Sequence, residues 1–107
     1  MKFDHIAISV KNVLNSTSWY EKNFRAVTEY SSDTWAMLKI GDMKLALIQK
    51  NLPPPHFSLE INSFDDFPEG CEILTHRDGS YYFYQSDPDG NTVELIYWPV
   101  EKKKNAN

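Results

Sequence analysis

Residues 3–10, FDHIAISV, alternate well between two faces. Ile6, Ile8 and Val10 share one face, and His5, Ala7 and Ser9 share the other, which is the pattern of a half-buried strand. Asn12 follows where a helix N-cap belongs. Over residues 13–24, Leu14, Thr17, Tyr20 and Phe24 recur at three- and four-residue steps beside Val13, predicting an amphipathic helix of about three turns. Residues 26–31, 33–40 and 43–49 read as three strands, the last two joined by the Gly41-Asp42 turn.

Pro53-Pro54-Pro55 then interrupts the chain as a stiff linker, since three prolines continue neither helix nor sheet. Beyond it the opening pattern returns. Phe57, Leu59 and Ile61 alternate with His56, Ser58 and Glu60, and DHIAISVKNV aligns with PHFSLEINSF, histidine on histidine, without a gap. The second helix should fall at 62–70, but NSFDDFPEG is short and carries Pro68 and Gly70, so one turn at most is expected. Strands at 72–77, 80–85 and 92–98 complete the unit. Asp78-Gly79 signals a hairpin, and Asp87-Pro88-Asp89-Gly90-Asn91 signals a turn.

The expected fold is α+β: two βαβββ modules, the second with a shortened helix. Module one spans about 1–50, the linker 51–55, module two about 56–100 and a tail 101–107. Helices on the outside would leave the inner faces of a curved mixed sheet around a cleft.

Composition narrows the function classes. The net charge of −4 lacks the basic footprint of a nucleic-acid binder. The only dense basic run, Lys102-Lys103-Lys104, reads as a solvated, frayed tail. A single cysteine, Cys71, excludes an internal disulfide and suits a reducing compartment. Charges interrupt the N-terminal pattern too early for a signal peptide, and no apolar run approaches a membrane span. A cytoplasmic protein is expected. Phosphate loops, CxxC pairs and GxSxG elbows are missing from the sequence.

His5 and His56 are the main chemical signal. Each opens the first strand of its repeat on the less apolar face, so repeat symmetry could bring them to one point. The plain alternative is two surface histidines. Glu94 lies between Ile96 and Thr92 on one face of its strand, where a carboxylate is costly without a partner. A metal would compensate it; a lysine at a sheet edge would also do so. Trp35, Met37 and Lys39 form one stripe and Tyr82 and Tyr84 another, either cleft lining or ordinary core. Arg77, beside His76, could hold an anionic group or stand solvated on its hairpin. Glu60 could act as a base or support an imidazole.

Taken together, FDHIAISVKNV, the helix ending WYEKNF, a histidine opening the second repeat and SDPDGNTVELIYW resemble the vicinal-oxygen-chelate superfamily over nearly the whole chain. That family includes glyoxalases, bleomycin-resistance proteins and extradiol dioxygenases. The resemblance implies paired βαβββ modules around a metal cup. It also implies His5, His56 and Glu94 as ligands of one divalent ion (zinc, manganese, nickel or iron(II)), with Glu94 catalytic as well. The fourth ligand position falls on Leu45, which cannot ligate, so the pattern is a three-ligand one and glyoxalase activity proper is not expected.

The implied function is a metal-dependent enzyme acting on a small oxygenated molecule: a lyase or isomerase, thiol transferase or dioxygenase, with the metal as Lewis acid. Trp35, Lys39, Arg77, Tyr82 and Tyr84 would line its substrate. The alternatives are a metal-free binding protein of the bleomycin-resistance type and a regulatory subunit that keeps only the fold. A homodimer is expected, because exposed sheet edges need cover.

Overall fold

The computed structural model describes residues 1–50 and 53–99. Asn51 and Leu52 of the expected linker, and the lysine tail, lie outside the described residues. The chain forms two compact units, Asp4–Phe57 and Met1–Phe3 with Ser58–Asn107. Among the described residues no helix is long and apolar enough to cross a membrane, which says nothing of spans made by strands.

The first unit contains most of β1 (Lys2–Val10), then α1 (Val13–Phe24), β2 (Val27–Ser31), β3 (Trp35–Ile40), β4 (Met43–Gln49) and the opening of β5 (His56–Glu60). Its strands are ordered β2-β3-β4-β1, with β5 beyond β1. β1 runs parallel to β4, with Ala7 opposite Ala46, while β3 is antiparallel to both β2 and β4. The sheet is therefore mixed. A parallel pair needs a crossover, and α1 with β2 and β3 supplies the intervening chain.

Asn12 starts α1 as expected: its side chain accepts the Asn15 N–H at 2.9 Å. Val13 and Thr17 are buried, and Val13 makes a core with Ala26, Ala36, Leu38 and Leu47 against one sheet face. Leu14 and Phe24, expected on the buried side, are about half exposed. The packing stripe is Val13, Thr17 and Tyr20, and Phe24 leaves it at the helix end to sit beside Trp19 and Tyr20. On the opposite face Ala7, Ala46 and Ile48 pack with Met37. This is the face His5 shares with Ala7. Leu45 packs on the helix side, so the face of His5 is met from β4 by Lys44, Ala46 and Ile48 by alternation. A fourth ligand is missing there in either register.

The second unit orders its strands β5-β8-β7-β6, where β6 is Leu74–Thr75, β7 Tyr81–Ser86 and β8 Thr92–Tyr97. The eroded helix is a single 3-10 turn, Phe64–Asp66, capped by Ser63. Aromatic rings occupy the place a helix would take. Phe64 lies 4.8 Å from Tyr81 and 4.8 Å from Tyr97, above Ile61, Phe67 and Leu95. β6 is two residues long where six were expected. It pairs only through Leu74 with Tyr82 and Thr75 with Tyr81, and Glu72 and Ile73 stand exposed before it.

The outer strand of each unit is blunted. β2 breaks register between Thr28 and Tyr30, and β6 is too short to template another strand. The edges therefore do not by themselves call for a dimer.

Candidate functional site

In the first unit β1 and the start of β5 bring His5 and His56 together, with ring centroids 5.6 Å apart and planes nearly perpendicular at 73°. Both are buried, His5 at 9% exposure and His56 at 8%. The pair meets within one chain, so no exchange of modules between subunits is needed to form it.

Each imidazole has its Nδ1 committed. His5 Nδ1 lies 2.7 Å from the Asp4 carboxylate, and His56 Nδ1 lies 2.7 Å from the Pro54 carbonyl oxygen. A carbonyl and an ionised carboxylate only accept, so in each case the ring proton sits on Nδ1. In the neutral form the lone pair is then on Nε2. The proline linker has a local chemical role here, since its fixed φ presents the carbonyl that sets the tautomer of His56.

In the second unit Glu94 is buried at 2% exposure, on the face of β8 opposite Val93 and Leu95. Its Oε1 accepts a short hydrogen bond from the Ser58 hydroxyl on β5. Its Oε2 accepts from His76 Nε2 at 2.9 Å. Tyr84 stands directly opposite on β7 and also hydrogen-bonds Glu94. Burial first, then the Glu94 charge, pushes the Tyr84 phenol well above its ordinary value, so it remains a protonated donor through the physiological range.

His76 was legible only as a neighbour of Arg77, yet it holds one carboxylate oxygen. The turn His76–Gly79 explains its placement. Gly79 N donates to His76 O at 3.0 Å with Gly79 at φ +90°, a conformation glycine adopts without strain. Asp78 Oδ1 accepts from Ser80 N at 2.9 Å and from Ser80 Oγ at 2.7 Å, and Ser80 is fully buried. The ring of His76 then lies flat on Tyr82, with centroids 3.7 Å apart at 14°. Ser58, too, drew no sequence argument beyond its strand face. The signal that could have found both is the polar stripe Tyr82 and Tyr84, which shares the face of Glu94 across the β7–β8 ladder.

The remaining candidates are placed as follows. Trp35 is partly exposed and stacks on Tyr30 at 4.5 Å. Lys39 is exposed and pairs across β3 and β4 with Lys44. Both share the β3 face of Met37, hence the sheet side of His5. Arg77 is exposed at the second position of its turn. Glu60 is half-buried on the face of Ser58.

No protein-family model matches the chain, and no curated protein matches it in sequence. Solved structures do match in fold. Methylmalonyl-CoA epimerase from Mycobacterium tuberculosis aligns with a TM-score of 0.70 at 15% identity, over 99% of this chain and 92% of the other. A glyoxalase/bleomycin resistance protein/dioxygenase superfamily member from Vibrio splendidus 12B01 gives 0.67 at 12%, over 88% and 97%. The Mn(II)-bound glyoxalase from Novosphingobium aromaticivorans gives 0.66 at 16%, over 90% of this chain and 37% of that one. The chain has the vicinal-oxygen-chelate fold that its sequence resembles.

Proposed function

We propose that this protein is a metal-dependent enzyme acting on a small oxygenated molecule, with His5, His56 and Glu94 as the ligands of one divalent ion. The observation that carries the reading is the shared state of the two histidines. Each is buried, each has Nδ1 tied to an acceptor, and each therefore directs an Nε2 lone pair from a fixed ring. Metal-ligating histidines are held in this way by a carboxylate or carbonyl behind the ring.

The donor set fits the group. Two imidazole nitrogens and a carboxylate oxygen suit zinc, manganese, nickel and iron(II), and leave coordination positions for two substrate oxygens. One structure of the same fold is described as Mn(II)-bound, which adds weight to manganese. When bound, the ion would supply Lewis-acid stabilisation of charge developing on a substrate oxygen. The chain's own residues have separate tasks. Asp4 and the Pro54 carbonyl fix the two rings, and Ser58, His76 and Tyr84 fix the Glu94 carboxylate. Tyr82, Tyr84, Trp35, Lys39 and Arg77 remain the proposed substrate contacts. A lyase or isomerase, a thiol transferase and a dioxygenase are all compatible with this donor set.

One observation favours a second reading, a metal-free small-molecule binding protein of the bleomycin-resistance type. Among the described residues every buried side-chain polar atom has a hydrogen-bond partner without any ion. Metal titration separates the two. Tag-free wild type should bind one Mn(II), Zn(II), Ni(II) or Fe(II) per chain in calorimetry, and His56→Ala should lose that binding. No saturable binding of any of the four would overturn the enzyme reading and leave the binding protein.

The homodimer belongs to the same proposal. Its support is the outer side of α1, where Trp19 and Phe24 are each more than half exposed and pack on one another. Light scattering should give twice the chain mass, and a monomer at working concentration would remove the dimer without touching the metal site.

A further inference from the structure

His76 is the one histidine of the three that is not in the proposed ligand set. It is also oriented differently from the others. Its Nε2, not its Nδ1, faces an acceptor, the Oε2 of Glu94 at 2.9 Å. The proton must therefore lie on Nε2, the tautomer opposite to that of His5 and His56. In the neutral rings the proton therefore sits at Nδ1 in His5 and His56 and at Nε2 in His76.

The ring of His76 is held on three sides. Its backbone N–H donates to Ser80 O at 2.9 Å and its carbonyl accepts from Gly79, which pins the main chain. Asp78 locks the same turn through both polar groups of Ser80. Tyr82 fixes the ring plane by stacking at 3.7 Å. The side chain remains one third exposed, so its polar edge could face water, yet its Nε2 is turned to Glu94. Ser58 occupies the other carboxylate oxygen. Glu94 is thus gripped at both oxygens by groups on separate strands or turns. A carboxylate with 2% exposure cannot rotate without giving up one of these bonds inside the protein.

We propose that His76 is a positioning residue for Glu94: the Tyr82-stacked imidazole, donating from Nε2, sets the rotation of the carboxylate so that it can ligate metal. This rests on the metal reading above. It goes beyond that reading in assigning the third histidine, the hairpin turn and Tyr82 to the quality of the site rather than to substrate contact alone.

The test uses two variants of the full chain, with circular dichroism to establish that both fold. His76→Phe keeps an aromatic ring to stack on Tyr82 and removes the donor. His76→Gln returns an N–H donor at similar reach. Calorimetric titration with Mn(II) and with Zn(II) should show His76→Phe binding roughly 10- to 100-fold more weakly than wild type, the range for loss of a ligand-supporting partner. His76→Gln should recover most of that loss, which a purely structural role for the ring would not produce. Wild-type affinity in His76→Phe would overturn the inference while leaving the metal reading intact. Absence of binding in wild type would overturn the metal reading and the inference with it. A second readout needs no ion. Long-range proton–nitrogen NMR of the metal-free protein should show His76 protonated at Nε2 and His5 and His56 at Nδ1. Glu94→Gln should move the His76 resonances. A His76 protonated at Nδ1, or indifferent to Glu94→Gln, would overturn the proposal.

Discussion

At the scale of single residues, the histidines show what a sequence can and cannot carry. His5 and His56 were legible because an ungapped repeat puts them in equivalent strand positions, and the structure brings their rings to 5.6 Å. Glu94 was singled out because the alternation of its strand put a carboxylate on a sheet face where it is costly without a partner, and the structure buries it at 2% exposure. Their proton positions were not legible. The His56 tautomer depends on a carbonyl two residues away in a proline run, whose orientation no periodicity encodes. The His76–Glu94 bond depends on the register of a hairpin and on a neighbouring ring, and these are set across 18 residues of chain. Leu45, picked by counting from its turn, lies on the helix side with the core. Equal offsets from two turns do not ensure equal faces when one strand position reverses every side chain.

At the scale of elements, those with a two-sided constraint were read most closely. α1 matches at both ends because Asn12 caps its start and Arg25, left-handed at φ 55°, ends it. β4 matches because strands lie on both sides of it. β6 shrank because it has a partner on one side only, where an alternating sequence gains little from pairing. The Asp87–Asn91 turn, which joins β7 to β8 and so delivers Glu94, was read from its residue types, and its chemistry is local. Asp87 Oδ1 accepts from Asp89 N at 2.9 Å and Asn91 N at 2.8 Å, while Oδ2 accepts from Asn91 Nδ2 at 2.8 Å. The Asn91 side chain first, then its backbone N–H, hold the Asp87 carboxyl below its ordinary value. A lowered folded value binds protons less readily than the unfolded chain. Its contribution to stability is therefore present above the ordinary carboxyl range near 3.9 and is lost as pH falls through the lower folded value. Asp87→Asn keeps an acceptor oxygen but cannot titrate. Thermal melts of wild type and variant should converge as pH falls from about 5 to about 2, and curves that stay parallel over that window would show that this turn carries no acid sensitivity. The effect will be small, because the carboxylate is open to solvent.

At the scale of the whole molecule, the two units keep separate cores, one under a helix and one under aromatic rings. The proposed ligands would come from three strands, His5 on β1, His56 on β5 and Glu94 on β8. This arrangement has a thermodynamic consequence. An ion that binds only the folded state stabilises by RT ln(1 + [L]/Kd), about 2.7 kcal/mol at one hundred times Kd. For a chain near 100 residues, each kcal/mol moves the midpoint by roughly 4–8 °C. Saturating metal should therefore raise the melting temperature by on the order of 10–20 °C. If all three ligands act on one ion, calorimetric melting should remain a single transition that moves as a whole, because no ligand-bearing strand can unfold without releasing metal. If the two histidines bind alone, only their unit gains, and the melt should broaden or split as metal is added. Glu94→Gln gives the deciding comparison. It should cut the metal-induced shift for the entire transition if the carboxylate is a ligand, and it should leave the shift intact if the imidazole pair suffices.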